Sequence, residues 1–152
     1  MISKKHEAYI RQCYALAEEA VGNGDHPFGA LLVNDGEVVL TAVNTVHSGH
    51  DETRHAEINL VSEAGRRLSA EGVAACTLYT STEPCAMCTG AIYLAEIQTI
   101  VFGCSAEGLY ALVGSDLSIP SRDILALGQR ETAVIGPVLE EEGLEIHRKH
   151  WT

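Results

Sequence analysis

Apolar residues recur at three- and four-residue steps from Ser3 to Val21, so that Tyr9, Cys13, Leu16, Ala17, Ala20 and Val21 share one face of a predicted helix. Gly22 and Gly24 end it. The period then changes. Phe28 to Val33 is a short apolar run bounded by Pro27 and Asn34, Asn34-Asp35-Gly36 is a turn signal, and Glu37 to Asn44 returns, which together predict a hairpin. A polar loop with His47 and His50 follows from Thr45 to Thr53. Arg54 to Leu68 restores helical spacing, with Ala56, Leu60, Val61 and Ala64 facing inward and Thr53 as the expected cap. Cys76 to Thr82 has strand composition, Pro84 suits a first helical turn, and Cys85 to Leu94 continues as a helix. Thr99 to Gly103 is a further strand. Beyond it the signal weakens. Ser105 to Asp116 reads as a loop with at most one helical turn, and Ser121 is expected to cap a short helix from Arg122 to Leu127. Thr132 to Ile135 reads as a last strand, and Pro137 to Trp151 as a helix that Gly143 weakens.

The alternation after the first helix is strand, strand, helix, strand, helix, strand. It predicts an α/β fold, a three-layer α/β/α sandwich with one mixed sheet of about five strands and helices on both faces. The 152 residues contain no linker or repeat, so residues 1–152 are expected to form a single domain. The opening residues Met1 to Glu7 turn polar at once, so no leader segment is expected. No apolar run approaches the roughly 20 residues of a membrane span. Of the five cysteines, Cys13, Cys76 and Cys104 sit among apolar or small residues and read as buried thiols, which suits a reduced, cytoplasmic setting.

The net charge of −11 changes the list of partners. A protein that grips a phosphate backbone normally presents a basic patch. Here Lys4-Lys5, Arg66-Arg67 and Arg148-Lys149 are short, and the densest run is the acidic Glu140-Glu141-Glu142, which reads as a solvated helix face. Nucleic acid is therefore not the expected partner.

The remaining chemistry lies in two segments. Cys85 and Cys88 are three apart at the start of a predicted helix, so both thiolates can meet one divalent ion, and the helix N-terminus favours thiolate over thiol. His55 offers a third ligand, which leaves one tetrahedral position open, as a catalytic zinc requires. Glu57, two residues past His55, is suited to moving protons. A Cys-x-x-Cys pair alone also fits a redox couple, and a fourth ligand from Cys104, His47, His50 or His26 would make a structural zinc. The joint spacing of His55-Ala56-Glu57 and Pro84-Cys85-Ala86-Met87-Cys88 favours catalytic zinc.

This pattern, His-x-Glu followed by Pro-Cys-x-x-Cys, resembles the signature of zinc-dependent nucleobase deaminases of the cytidine-deaminase-like superfamily. The resemblance covers roughly residues 5 to 115. The stretches His26-Pro27-Phe28-Gly29-Ala30 and Leu78 to Tyr93 look most like bacterial guanine deaminases. Cys88-Thr89-Gly90-Ala91-Ile92 also looks like fungal-type cytosine deaminases. Bacterial tRNA adenosine deaminases share the zinc motif, usually with a small aliphatic residue in place of Phe28 and a basic surface. The resemblance implies one Zn2+ per chain on His55, Cys85 and Cys88, with Glu57 as proton shuttle. It implies substrate contacts from Asn44, the Ala56 backbone and the Phe28 ring, and places Asp116 near an acid that some guanine deaminases use. It also implies a homodimer paired through the motif helices. The expected substrate is a small free base, guanine before cytosine, or a nucleoside; a tRNA adenosine deaminase and a non-catalytic zinc protein are the alternatives. Trp151, the single tryptophan, is the penultimate residue. Leaving a large apolar side chain in water forgoes roughly 1.5–3 kcal/mol, so it is expected to be packed, either docked on the core or a partner or closed over the bound base.

Overall fold

A computed structural model of the protein describes residues 2–115 and 117–151. Helix α1 (Lys4–Gly22) is capped by Ser3, whose side chain accepts from the His6 amide. A hairpin follows, β1 (Gly29–Asn34) and β2 (Glu37–Val43), antiparallel across the Asn34-Asp35-Gly36 turn. Gly36 takes a positive φ of 77° there, a conformation that glycine adopts without steric cost. Then come α2 (Ala56–Arg67), α3 (Ala70–Ala74), β3 (Thr77–Thr82), α4 (Ala86–Leu94) and β4 (Thr99–Cys104). The chain continues through α5 (Ala106–Val113), α6 (Ser121–Leu125), β5 (Ala133–Ile135) and α7 (Glu140–Trp151).

The sheet is mixed, in the order β2-β1-β3-β4-β5. The pairs β2–β1 and β1–β3 are antiparallel, while β3–β4 and β4–β5 are parallel. Register puts Leu32, Leu78 and Ile100 in one row and Leu31, Tyr79 and Val101 in the next. Successive strand residues point to opposite faces, so these rows feed two cores. On one face Leu32, Leu78 and Ile100 pack with Ala56, Leu60 and Ala64 of α2, Ile92 of α4 and Leu125 of α6. On the other, Leu31, Tyr79 and Val101 pack with Ile10, Cys13 and Tyr14 of α1, and Ile146 of α7 joins them. The expected sheet with helices on both faces is thus present. β1 is buried on both sides and β2, at the edge, is largely exposed. Cys13, Cys76 and Cys104 are buried free thiols. Among the described residues no helix is long and apolar enough to cross a membrane.

Apart from the short extra helix α3 and the cap of α2, the differences lie in the second half. The segment after Gly103 is an eight-residue helix, α5, where a loop is expected. Ser105 caps it by accepting from the Gly108 amide, and Leu109 is buried. Ala106, Leu109, Tyr110 and Val113 are in fact spaced i, i+3, i+4 and i+7, the spacing of one helical face. Ser121 does not cap α6. Pro120 stands at that position, and Ser121 is turned inward. The acidic run opening α7 is more than a solvated face: Glu140 accepts from both the amide and the hydroxyl of Ser105, and Glu142 pairs with Arg11 at 2.9 Å. Carboxylates in a first helical turn are also favoured by the helix dipole. Gly143 is buried against the Tyr14 ring, so the residue that weakens the helical pattern is the one that lets α7 approach α1.

Candidate metal centre and active site

Two helix starts meet above the sheet. The break in β-structure after Thr82 and the start of α4 put Cys85 at the N-cap, with Cys88 one turn on. His55 is the N-cap of α2, so the helix begins two residues later than the spacing predicts. Thr53 does not cap it; its hydroxyl donates to Asp51 at 2.7 Å. His55 Nδ1 lies 3.6 Å from Cys85 Sγ and 3.5 Å from Cys88 Sγ. The donor atoms of these three residues all lie within 4.8 Å of one another and form a possible metal site. Tetrahedral zinc, with Zn–S of about 2.3 Å and Zn–N of about 2.0–2.1 Å, sets nitrogen and sulfur about 3.6 Å apart. The observed spacing fits that geometry. The fit also extends to charge. Cys85 is drawn down to about 4 by the hydrogen bond from Cys88, with His55 adding to it. Cys88, the donor in that bond, is pushed up. The pair thus shares one proton, which a divalent ion displaces on binding.

Glu57 is buried, with 5% of its surface exposed. Burial pushes its carboxyl up to about 7, and the Cys85 thiolate acts in the same direction. A cation on the three donors would pull the other way. A carboxyl poised near neutrality beside a metal site is suited to carrying protons.

A pocket of about 230 Å³ opens over these groups, lined by Phe28, His55, Glu57, Thr82, Cys85, Tyr110 and Trp151 among others. Phe28 borders the pocket and packs on the core around Leu60. Trp151 is packed on one side only. Its ring stacks on His26 at 5.0 Å and its Nε1–H donates to His147 Nδ1 at 3.1 Å, while 38% of its surface stays exposed. Ala56 is fully buried at the start of α2. Asn44 is buried, and its Oδ1 accepts from the Val46 amide at 3.0 Å, a turn contact at the end of β2. Asp116 lies outside the described residues.

The sequence pattern does not single out Glu83. Its buried carboxylate accepts from the amides of Ala106 and Ser121 and from the Ser121 hydroxyl, at 2.7 to 3.0 Å. It ties the starts of α5 and α6 to the motif loop. Leu109, Tyr110 and Val113 of α5 then form one wall of the pocket. His147 is buried on α7 and bonds Thr82.

The family model of the cytidine and deoxycytidylate deaminase zinc-binding region matches residues 3–104. The chain belongs to this family of zinc-dependent deaminases. A probable cytosine deaminase of Schizosaccharomyces pombe is 39% identical over 99% of this chain and 94% of its own length. The solved structure of guanine deaminase from Bacillus subtilis is 33% identical and superposes with a TM-score of 0.68 over 95% of this chain and 92% of its own. The tRNA-specific adenosine deaminase of Aquifex aeolicus is 36% identical over 63% of this chain and 64% of its own. The likeness bears out the superfamily, the mixed α/β sheet and the zinc cofactor expected from the motif, and these deaminases hydrolyse C–N bonds.

Proposed function

We propose that the protein deaminates a small free nucleobase by hydrolysis, guanine before cytosine, and releases ammonia. The observation that carries this reading is the pocket: about 230 Å³, over the metal donors, with the aromatic rings of Phe28 and Trp151 in its lining. Such a site takes a planar heterocycle. The sequence pieces around Phe28 and Cys85 support guanine, as does the likeness to the Bacillus subtilis guanine deaminase along nearly the whole of both chains. The near full-length match to the probable cytosine deaminase of Schizosaccharomyces pombe, which reaches the C-terminal helix, supports cytosine as the second reading.

In this reading His55, Cys85 and Cys88 hold one zinc ion. Zinc in such a site supplies a Lewis acid and lowers the pKa of bound water to about 7. Glu57 then moves the protons. Its carboxyl takes a proton from the attacking water and delivers it to a ring nitrogen next to the amino-bearing carbon; it then takes the remaining proton of the added hydroxyl and gives it to the amino group, so that the C–N bond breaks, the carbonyl forms and ammonia leaves. Its buried position keeps that exchange out of bulk solvent. Phe28 packs on the ring, and Asn44 and the Ala56 backbone are assigned to the base edge, with Asp116 a further candidate. For Asn44, whose Oδ1 already accepts from the Val46 amide, the amide NH2 and the second lone pair of Oδ1 would serve the base. The chain is further proposed to act as one domain and as a homodimer in the cytoplasm. An ammonia-release screen over free bases, nucleosides and tRNA tests the reading. Turnover of guanine or cytosine is expected, and faster conversion of adenosine in tRNA than of any free base would overturn it.

A further inference from the structure

A chain of three hydrogen-bonding groups leads from the C-terminus to the pocket. Trp151 Nε1 reaches His147 Nδ1 at 3.1 Å, and His147 Nε2 reaches Thr82 Oγ1 at 2.9 Å. An indole N–H only donates, so His147 Nδ1 must accept and carry no proton. Burial, with only 2% of the residue exposed, also holds the imidazole neutral, because desolvation draws its pKa down to about 4. A neutral imidazole with a bare Nδ1 has its proton on Nε2, and therefore donates to Thr82. That fixes the last link. The Thr82 oxygen accepts, and its own hydroxyl proton finds no acceptor among the described hydrogen bonds. Thr82 is among the residues that line the pocket. Neither Thr82 nor His147 follows from the metal motif.

We infer that Thr82 donates its hydroxyl proton to an acceptor atom of the bound base, and that His147 is a positioning residue that aims this donor once Trp151 has docked. The ligand class is a planar base with a carbonyl oxygen or an unprotonated ring nitrogen at its edge. The inference rests on the proposed free-base substrate. It makes seating of the last turn of α7 and recognition of the base one event: Trp151 selects the His147 tautomer, and the tautomer sets the direction of the Thr82 hydroxyl.

Two measurements test it. In 15N spectra of histidine-labelled, zinc-loaded protein, the His147 resonances, assigned by their loss in His147→Gln, should show a protonated Nε2 and a bare Nδ1. A protonated Nδ1 overturns the chain. Steady-state kinetics with guanine and cytosine should show Thr82→Val raising KM by at least about tenfold, the loss of roughly one hydrogen bond, with zinc content unchanged. Thr82→Ser, which restores the hydroxyl, should recover most of that loss. His147→Phe should raise KM similarly, and the Thr82→Val, His147→Phe double variant should be no worse than the worse single one. A Thr82→Val enzyme within twofold of wild type in KM, or additive losses in the double variant, overturns the assignment. Wild-type protein that neither binds nor turns over any free base, read by the fluorescence of its single tryptophan and by ammonia release, overturns instead the substrate reading on which the inference rests.

Discussion

At the scale of single residues, the roles proposed for Glu57 and for the three metal donors are separable by mutation. Glu57→Gln keeps shape and the helix start but cannot carry a proton. General acid–base catalysis is worth roughly 10² to 10⁴ in rate, and one carboxyl serving several transfers should cost at least the upper end. Ammonia release is expected to fall by about that factor with zinc content by metal analysis unchanged; a rate within tenfold of wild type would make Glu57 ordinary buried helix. Cys85→Ala and Cys88→Ala should instead lose the metal. Stoichiometric zinc in the double variant would refute the donor assignment. These residues were legible in the sequence because the motif is local: His55 with Glu57, and Cys85 with Cys88, are each fixed by one helix start. Glu83 was not legible. Its partners lie 23 and 38 residues downstream, and only the folded sheet brings them to its carboxylate. The turn contact of Asn44 was not legible either: its type suits a base edge, but only the fold shows that its oxygen also closes the turn after β2.

At the scale of elements, α5 and α7 contribute to the pocket wall, and the docking of α7 is tied to protonation. His147 is held neutral in the fold, at about 4, against an ordinary value near 6.5. Between those values the unfolded chain binds more protons than the folded one, so stability is complete above about pH 6.5 and falls as pH drops toward about 4. His26 and His150, which face each other and Trp151 at the same end of α7, are also depressed by burial and add in the same direction. The contribution of His147 has an upper bound of about 3 kcal/mol. Denaturant unfolding followed by Trp151 fluorescence should show stability lost between pH 6.5 and 4.5, with a shallower dependence in His147→Gln. An unchanged slope in that variant would mean that His147 does not titrate as its burial requires. The existence of α7 was readable from its spacing, while its docking was not. Docking depends on Gly143 against Tyr14 and on Glu140 at Ser105, contacts that a hydropathy pattern cannot register.

At the scale of the whole molecule, charge and exposed surface decide the partners. Leu94 at the end of α4 is 82% exposed, and beside it Val61, Leu68 and Ala91 line an apolar cleft between α2 and α4. Single exposed apolar residues are ordinary, but a grouped set on the motif helices suits the proposed homodimer. Sedimentation should give twice the chain mass, and Leu94→Glu should shift it toward the monomer; a wild-type monomer would refute the pairing. Nucleic acid is a different matter. The net charge of −11 places a repulsive field around the molecule, and its cations are largely committed. Arg11 pairs with Glu142, Arg66 and Arg67 with Glu63, Arg148 with Glu141 and Glu145, and Arg122 and Arg130 donate to backbone carbonyls. Binding to a phosphate backbone releases counterions, and log K then falls steeply with log salt, by about 0.7 to 0.9 per phosphate contacted. Such a slope needs several uncommitted cations on one surface. Titration with tRNA between low and physiological salt should therefore give no saturable binding, and ammonia release from a free base should be insensitive to added tRNA. Saturable binding with a slope of several phosphates would identify a basic groove assembled from these arginines and move the substrate from a free base to an adenosine in RNA.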